Sequence, residues 1–316
     1  MKRNLSQRVA LFVMLLICIM SSGEADAQSQ QGSKAAKSDA GPKLRVLLID
    51  GQNNHSIWPK TSEMMRKYLI ETELFSVELA RTAPKGIDEN FKPNFGDFDV
   101  VLSNYNGDNW PEETQKGLES FIENGGGMVV VHAADNAFPE WQAWNQMIGL
   151  GGWGGRNAQS GPYVYFDDQN KIVHNTDEGA GGSHGSQHEF SIVTRDAEHP
   201  IMKGFPEKWL HTKDELYDRL RGPAKNMKVL ATAFSSKDQG GTGRNEPMVM
   251  AVEFGKGRVV HTTLGHADYS QECVGFITLL QRGAEWVATG KVSQALPKDF
   301  PTADAISVRA YTDEKK

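Results

Sequence analysis

The sequence predicts a doubly wound α/β protein, in which a mostly parallel sheet carries helices on both faces. Aliphatic runs without polar alternation, such as LRVLLI at 44–49, recur along the chain. Amphipathic segments with helical spacing lie between these runs. Strands that are buried on both faces and alternate with such helices are typical of a parallel sheet between two helical layers.

The first half of the chain repeats a strand and helix pattern. The run 44–49 is predicted as a strand, and 59–71 as a helix, because its methionines, tyrosine and leucine recur at helical spacing after a proline. The run 98–102 (FDVVL) is predicted as the next strand. A helix over 111–124 then ends at three glycines, and 128–131 forms the following strand.

The amino-acid composition changes after Leu150, where the chain becomes glycine-rich and polar, as in GAGGSHGS at 179–186. Two short runs, 163–166 and 190–194, have β-like composition. We interpret this segment as a long elaboration over the sheet, with a small antiparallel piece, and not as a separate domain.

The last part of the fold is predicted to return to the sheet. The runs 228–234, 248–254 and 258–264 resemble strands, and the glycines between the last two favour a hairpin. A long helix over 273–289 closes the fold. The predicted domain spans 43–290, followed by a C-terminal tail over 291–316.

The N-terminus has the pattern of a secretory signal peptide. Basic residues precede the apolar run 9–20, and an A-x-A cleavage pattern ends at Ala27. The apolar run is shorter than the roughly 20 residues that a membrane-spanning helix needs. We therefore expect a signal peptide over 1–27, a flexible polar linker over 28–42, a periplasmic or secreted protein, and no membrane partner after cleavage.

Composition limits the partners of the mature chain. The 316 residues carry a formal net charge of −6 without a basic stripe, so we expect no nucleic-acid partner. Removal of the signal peptide leaves Cys273 alone, which excludes an internal disulfide. A homo-oligomer stays compatible with the sequence.

Polar residues follow four of the predicted strands. They are GQNNH at 51–55, SNYNGD at 103–108, HAAD at 132–135 and GHAD at 265–268. Ligands of open parallel sheets bind beyond the carboxyl ends of the strands, so we predict that these residues share one pocket. The predicted catalytic residues are His132, Asp135, His55, Asp214 and His266. The predicted substrate-binding residues are Asn53, Asn54, Asn104, Asn106, Trp153 and Glu215.

Each predicted role follows from side-chain chemistry. An imidazole with its ordinary pKa of about 6.5 exchanges protons at neutral pH, so His132 is assigned as general acid/base with Asp135 orienting it. His55, Asp214 and His266 are expected to bind or polarise hydroxyl or carbonyl oxygens. Trp153 offers a stacking surface for a sugar ring, although a tryptophan also simply fills a core.

Two segments allow an alternative interpretation. The adjacent acids in DELY at 214–217 suit acid/base chemistry or hydroxyl binding, or else cap a helix as solvated acids. His184 and His188 have the spacing of metal ligands on a helix, but the surrounding glycines disfavour that helix. We therefore interpret this pair as unrelated to a helical metal site.

Several longer motifs resemble those of a known family. They are GQNNH at 51–55, FIENGGGMVVVHAA at 121–134, SQHEFSIVTRDAEHPIMKGFP at 186–206, DELY at 214–217 and FGKGRVVHTTLGH at 254–266. In these motifs the chain is similar to the ThuA-like (trehalose utilisation) family of the class I glutamine amidotransferase-like superfamily, which has flavodoxin-like folds. This resemblance implies a role in disaccharide catabolism.

The glutaminase activity of that superfamily is excluded by the residues at the matching position. Its nucleophile is a cysteine in a G-x-C-x-G turn after a central strand, whereas this chain has VHAA at 131–134. Cys273 falls at the start of the last predicted helix, away from the strand ends.

Three functions remain open on the sequence. The first is an exported enzyme that acts on a sugar or keto-sugar by His/Asp acid–base chemistry. The second is a metal-dependent enzyme, in which two or three of the site histidines and a carboxylate hold Zn²⁺ or a similar ion. The third is a protein that binds carbohydrate without catalysis. The expected partner in each case is a small-molecule carbohydrate, and the sequence identifies no cofactor.

Overall fold

The computed structural model describes residues 43–312. The predicted signal peptide, the predicted linker and the last four residues of the predicted tail lie outside the described residues. Within 43–312, no helix combines the length and the apolar character needed to cross a bilayer.

The described residues form strands and helices in an alternating order through the first half and are strand-rich in the second half. In chain order, they are β1 (Leu44–Asp50), α1 (Trp58–Ile70), β2 (Phe75–Arg81), β3 (Val100–Ser103), α2 (Glu112–Glu123), β4 (Gly127–Val131), α3 (Gln142–Ile148), β5 (Tyr163–Phe166), β6 (Ile172–Asn175), β7 (Ser183–His184), β8 (His188–Thr194), β9 (Lys208–Asp214), β10 (Tyr217–Asp218), β11 (Met227–Ser235), β12 (Arg244–Phe254), β13 (Gly257–Thr262), α4 (Asp268–Gln271) and α5 (Val274–Thr289).

The centre of the main sheet is parallel. Its strands follow the order β2-β1-β3-β4-β13, the arrangement of a flavodoxin-like fold, which confirms the predicted fold class. Beyond β13, the strands β12, β11, β8 and β9 extend the sheet in antiparallel pairing. The predicted hairpin joins β12 to β13, and β7 and β10 form a separate two-stranded ribbon.

Helices cover both faces of the parallel strands, as predicted. On β1, Val46 and Leu48 belong to the core cluster that includes residues of α1 and α5. Leu47 and Ile49 belong to the cluster on the opposite face, which includes residues of α2 and α3. Alternate side chains of a strand point to opposite faces, so a run of apolar residues serves both cores.

Seven regular elements among the described residues were not predicted, namely β2, α3, β6, β7, β9, β10 and α4. The segment that ends in Asp214 is a strand, so its alternative interpretation as a helix cap with solvated acids is wrong. The strand alternates between exposed and buried positions, and the acid at its end is fully buried.

Two buried arginines hold the glycine-rich elaboration. The guanidinium group of Arg156 donates to the carbonyl oxygens of Asn136, Ala137 and Gly152. That of Arg221 donates to the carbonyl oxygens of Gly161, Asp177 and Gly179. These hydrogen bonds satisfy backbone groups that form no sheet ladder.

The glycines of α5 provide a test of packing. A Cβ atom at Gly275 would lie 2.2 Å from the ring of Trp209, which is fully buried. We expect Gly275→Ala to lower the free energy of unfolding by about 1–3 kcal/mol, because the ring has no room to move. Urea denaturation measures this difference.

The matched control lies on the same helix. A Cβ atom at Gly283 would lie 3.4 Å from Val260, an ordinary contact distance. Gly283→Ala is therefore expected to be neutral, or more stable by up to about 1 kcal/mol through helix propensity. Equal stability of the two variants would contradict the packing described for Gly275.

A buried carboxyl group makes stability depend on pH. Glu246 on β12 is 2% exposed and accepts a hydrogen bond of 2.7 Å from the Thr242 hydroxyl. Burial raises the pKa of Glu246 to about 7; repulsion from Asp218 adds to this rise, while Thr242 and Arg244 oppose it. The pKa in the folded state thus lies above the ordinary value of 4.5.

The sign of the pH effect follows from this difference. A raised carboxyl pKa stabilises the fold below about pH 4.5, and that stabilisation is lost as the pH rises to about 7. The unaltered protein is expected to lose unfolding free energy on the order of 3 kcal/mol across this range. Glu246→Gln has no carboxyl group at this position, so it is expected to lack that loss. Urea denaturation of both proteins from pH 4.5 to 8 measures it, and parallel curves would contradict the assignment.

Candidate functional site

Three histidines meet at the carboxyl edge of the parallel sheet. His55 follows β1, His132 follows β4 and His266 follows β13. The ring centroids are 5.1 Å apart for His55 and His132, 4.5 Å for His55 and His266, and 5.5 Å for His132 and His266. The structure thus brings together residues that are more than 200 positions apart in the sequence.

The carboxylate of Glu215 faces these imidazoles. Glu215 Oε1 lies 3.3 Å from His266 Nε2, and Glu215 Oε2 lies 3.6 Å from His132 Nε2. Burial alone would raise the pKa of Glu215, but the contact with His132 and its charge, together with the effect of His266 when that ring is protonated, lower it to about 2. The site therefore contains an ionised carboxylate at neutral pH.

His132 occupies a strained turn directly after β4. Its φ angle is +48°, in the left-handed region, which costs a residue other than glycine about 1–3 kcal/mol. A strained turn between a strand and a helix is one way in which α/β enzymes present a reactive side chain. The strain here falls on the histidine that the sequence assigned as general acid/base.

Hydrogen bonding fixes the orientation of the His132 ring. Nδ1 lies 2.6 Å from the carbonyl oxygen of Thr263, so this nitrogen carries a proton and donates it. Nε2 is buried and has no hydrogen-bond partner among the described residues. Burial lowers the pKa of His132, but Glu215, Asp214 and the Thr263 carbonyl outweigh burial and raise it overall.

Asp135 does not orient His132, which corrects the prediction. Its carboxylate oxygen lies 3.1 Å from His261 Nε2, and both side chains are fully buried. His261 Nδ1 in turn lies 3.0 Å from the carbonyl oxygen of Ile148 at the end of α3. A 3₁₀ turn over His132–Asn136 carries Asp135 away from the cleft, so it links β13 to α3.

Asp214 does not reach the cleft either, so its predicted role in binding or polarising oxygens is wrong. It is fully buried, 2.8 Å from His211 Nε2. Its oxygens also accept hydrogen bonds from the backbone N–H groups of Gly265 and His266, at 2.8 and 3.1 Å. Asp214 therefore positions the loop that carries His266, while the next residue, Glu215, enters the site.

The predicted asparagines divide into two groups. Asn53 accepts from the backbone N–H of His55 at 2.9 Å and donates to the Asn104 carbonyl at 3.2 Å. The Asn104 side chain is buried and its NH2 group donates to hydroxyl groups of α1, so this residue ties the loop after β3 to α1 at the crevice. Asn54 and Asn106 form a hydrogen bond of 2.7 Å at the exposed rim.

Aromatic side chains form one wall of the site. The ring centroids of Trp153 and Tyr217 are 4.7 Å apart, and those of Tyr217 and His132 are 4.1 Å apart. Tyr217 was not predicted as a site residue, although it ends the DELY motif. Its hydroxyl lies 3.5 Å from His55 Nε2.

The structure separates His184 from His188. His184 lies on the ribbon strand β7, with Nε2 3.9 Å from Glu215 Oε2. His188 begins β8, and its Nδ1 lies 2.7 Å from the Ser186 carbonyl. The interpretation that these two histidines form no helical ligand pair is confirmed, because both lie on strands.

Two polar residues that the sequence analysis missed support the cluster. The Tyr269 hydroxyl donates to Gln187 Oε1 at 2.6 Å and lies 3.3 Å from His266 Nδ1. The Gln187 amide donates to Glu215 Oε1 at 3.1 Å. Only the spacing of Tyr269, three residues after His266 and on α4, gave a local signal for this arrangement.

Burial keeps two of the histidines neutral. It lowers the pKa of His55 to about 4, and the neighbouring His132 and His266 lower it further, against an opposing effect of Glu215. The pKa of His266 is lowered by burial and by His132. Both rings therefore present neutral nitrogen atoms, which bind protons, metal ions or hydroxyl groups at neutral pH.

Comparison with known proteins identifies the family. The family model ThuA, described as trehalose utilisation, matches residues 45–287. A ThuA-like protein from Parabacteroides merdae is 47% identical over 85% of this chain and 98% of its own, with a TM-score of 0.82. A second ThuA-like protein, from Bacteroides uniformis, shares the fold with a TM-score of 0.55. It is 17% identical over 83% of this chain and 97% of its own. A search of curated proteins found no significant match. The chain therefore belongs to the ThuA family.

Proposed function

We propose that this protein is an exported enzyme that acts on a sugar or keto-sugar in carbohydrate catabolism, with His132 as its general acid/base. The observation that carries the proposal is the His132 imidazole. Its Nδ1 is fixed by Thr263, while its buried Nε2 has no hydrogen-bond partner among residues 43–312 and faces Glu215 at 3.6 Å. The description of the family as trehalose utilisation supports a disaccharide substrate.

Proton transfer uses these two residues together. In the deprotonated form of His132, Nε2 takes a proton from a substrate hydroxyl or an acidic C–H bond. The adjacent carboxylate of Glu215 stabilises the imidazolium, and the same interaction contributes to the raised pKa of His132. His132 then returns the proton to the leaving oxygen or to carbon. A positioned acid/base of this kind contributes about 10²–10⁴-fold to the rate.

The lining of the cleft favours a neutral substrate. Among the described residues, the crevice beside His132 is lined by asparagine, threonine, histidine and Trp58 side chains and by no lysine or arginine. A phosphorylated sugar would find no cationic partner there, and Glu215 would repel it. The partly exposed indole of Trp153, which packs on the buried Tyr217, suits stacking against the apolar face of a sugar ring.

Export rests on the N-terminal sequence. The basic start, the apolar run and the A-x-A pattern before residue 28 support cleavage and release into the periplasm or the medium. Cell fractionation and N-terminal sequencing of the recovered protein test this part. An uncleaved chain in the cytoplasm would contradict it.

The reaction is tested by incubating the mature protein with neutral disaccharides, their keto derivatives and the corresponding sugar phosphates. Mass spectrometry of the products is expected to show conversion of a neutral sugar or keto-sugar and none of the phosphates. Saturable binding of a neutral sugar without any product would overturn the proposal and favour a carbohydrate-binding protein. Conversion of phosphates alone would also overturn it.

A further inference from the structure

The side chains of His55, His266 and Glu215 form a donor set for a metal ion. One ligand atom from each residue lies within 4.8 Å of the other two. Two imidazoles and one carboxylate are the protein ligands of many catalytic zinc sites, which keep a further position open. We propose that these three residues bind one divalent transition-metal ion, best matched by Zn²⁺, with the open position directed toward His132.

The contact between the proposed ligands Glu215 and His266 is longer than a normal hydrogen bond and matches the spacing of two ligands that share a centre. Glu215 Oε1 lies 3.3 Å from His266 Nε2. The neighbouring Asp214, by contrast, lies 2.8 Å from His211, a normal hydrogen-bond length. Ligands of a tetrahedral Zn²⁺ lie about 3.3 Å apart. Side-chain movements of about 1 Å would bring the three ligand atoms, which lie within 4.8 Å of one another, to this spacing.

The surroundings of His266 resemble those of a metal-bound histidine. Its Nδ1 lies 3.3 Å from the Tyr269 hydroxyl oxygen, which can accept the Nδ1–H of a metal-bound ring while donating to Gln187 Oε1, and Nε2 faces Glu215. Metal ligands usually have their second ring nitrogen or their carboxylate held by such outer contacts. Gln187 also donates to Glu215, so one pair of polar residues orients two of the three ligands.

An independent observation comes from His132, which is not one of the three ligands. Its Nε2 is buried, with the side chain 3% exposed, and lacks a hydrogen-bond partner among the described residues. A buried polar atom without a partner costs about 1–3 kcal/mol. An oxygen atom bound to the ion at the open position would supply that partner.

The ion would polarise a carbonyl or hydroxyl oxygen next to His132, a role that rests on the proposed function. The existence of the metal site does not rest on the proposed function, because the geometry of the three ligands supports it. Binding can therefore be tested without a substrate.

The test uses the full mature protein, purified without chelator or polyhistidine tag and loaded with Zn²⁺. After desalting, elemental analysis is expected to find one Zn²⁺ per chain, and calorimetry with Zn²⁺ gives the affinity. We expect His55→Ala, His266→Ala and Glu215→Gln each to weaken binding at least 100-fold. His132→Asn is expected to change it less than threefold.

The matched control is His188→Ala, which removes a histidine of the same segment that lies outside the cluster. Its affinity for Zn²⁺ is expected to equal that of the unaltered protein. Circular dichroism identifies any variant that fails to fold, and Glu215→Gln supplies a conservative change in that case. Absence of Zn²⁺ from the unaltered protein, or unchanged affinity in all three ligand variants, would overturn the site.

Co²⁺ gives a second readout, because its visible spectrum reports the coordination geometry. Bands of tetrahedral or five-coordinate Co²⁺ are expected in the unaltered protein and lost in Glu215→Gln. Binding of Zn²⁺ with no sugar conversion would contradict the proposed function but support the site. Full sugar conversion by protein that binds neither Zn²⁺ nor Co²⁺ would support the proposed function but contradict the metal site.

Discussion

Replacing His132 with asparagine is expected to lower kcat/KM for the converted sugar by about 10²–10⁴-fold while leaving the fold intact. The variant loses the imidazole Nε2 that faces Glu215 and therefore loses the group that moves the proton. Asparagine tolerates the φ angle of +48° at this position better than most residues. Steady-state kinetics on the substrate found in the sugar panel measures the loss.

Two further variants complete this experiment. His132→Gly removes the side chain and releases the backbone strain, so it is expected to be as inactive as His132→Asn and no less stable. His188→Ala lies outside the cluster and is expected to keep full activity. Activity of His132→Asn within threefold of the unaltered protein would remove His132 from the mechanism.

Asp214→Ala is expected to lower the free energy of unfolding by about 3–5 kcal/mol at pH 7. The change leaves the buried His211 without its carboxylate and leaves the N–H groups of Gly265 and His266 without an acceptor. Urea denaturation measures the difference. Asp168→Ala, at an exposed position, is the control and is expected to change stability by less than about 0.5 kcal/mol.

The acid limb of the stability curve provides a second measurement on Asp214. Burial alone would raise the pKa of Asp214, but His211 and the backbone of Gly265 lower it from 3.8 to about 2. Its stabilisation is therefore present above about pH 4 and lost as the pH falls to about 2. Asp214→Ala should lack this loss; an identical acid limb in both proteins would contradict the pairing with His211.

Local patterns were sufficient to predict the parallel half of the fold and the convergence of the histidines. The run 44–49 is apolar on both faces because helices cover both sides of β1, and that pattern needs no distant contact. Parallel strands also bring their carboxyl ends to one edge, which places His55, His132 and His266 together whatever their separation in sequence. The antiparallel half depends on pairings between distant strands, so β9 left no comparable signal.

The predicted roles of site residues were wrong where side chains that are close in sequence point in different directions. Asp135 is three residues from His132, but the intervening 3₁₀ turn directs it to His261. Asp214 and Glu215 are adjacent, so their side chains point away from each other at the end of β9, one into the core and one into the cleft. Gln187 joins the site only through tertiary contacts, which no local pattern encodes.

The buried arginines of the glycine-rich elaboration bear on the cost of binding a ligand. The guanidinium groups of Arg156 and Arg221 tie several loop carbonyls into fixed positions, and Gly181 beside the aromatic wall donates its N–H to the Arg156 carbonyl. The conformational entropy of these loops is thus lost during folding. A ligand that enters the cleft meets a preorganised wall, so little of its binding energy is spent on ordering the protein.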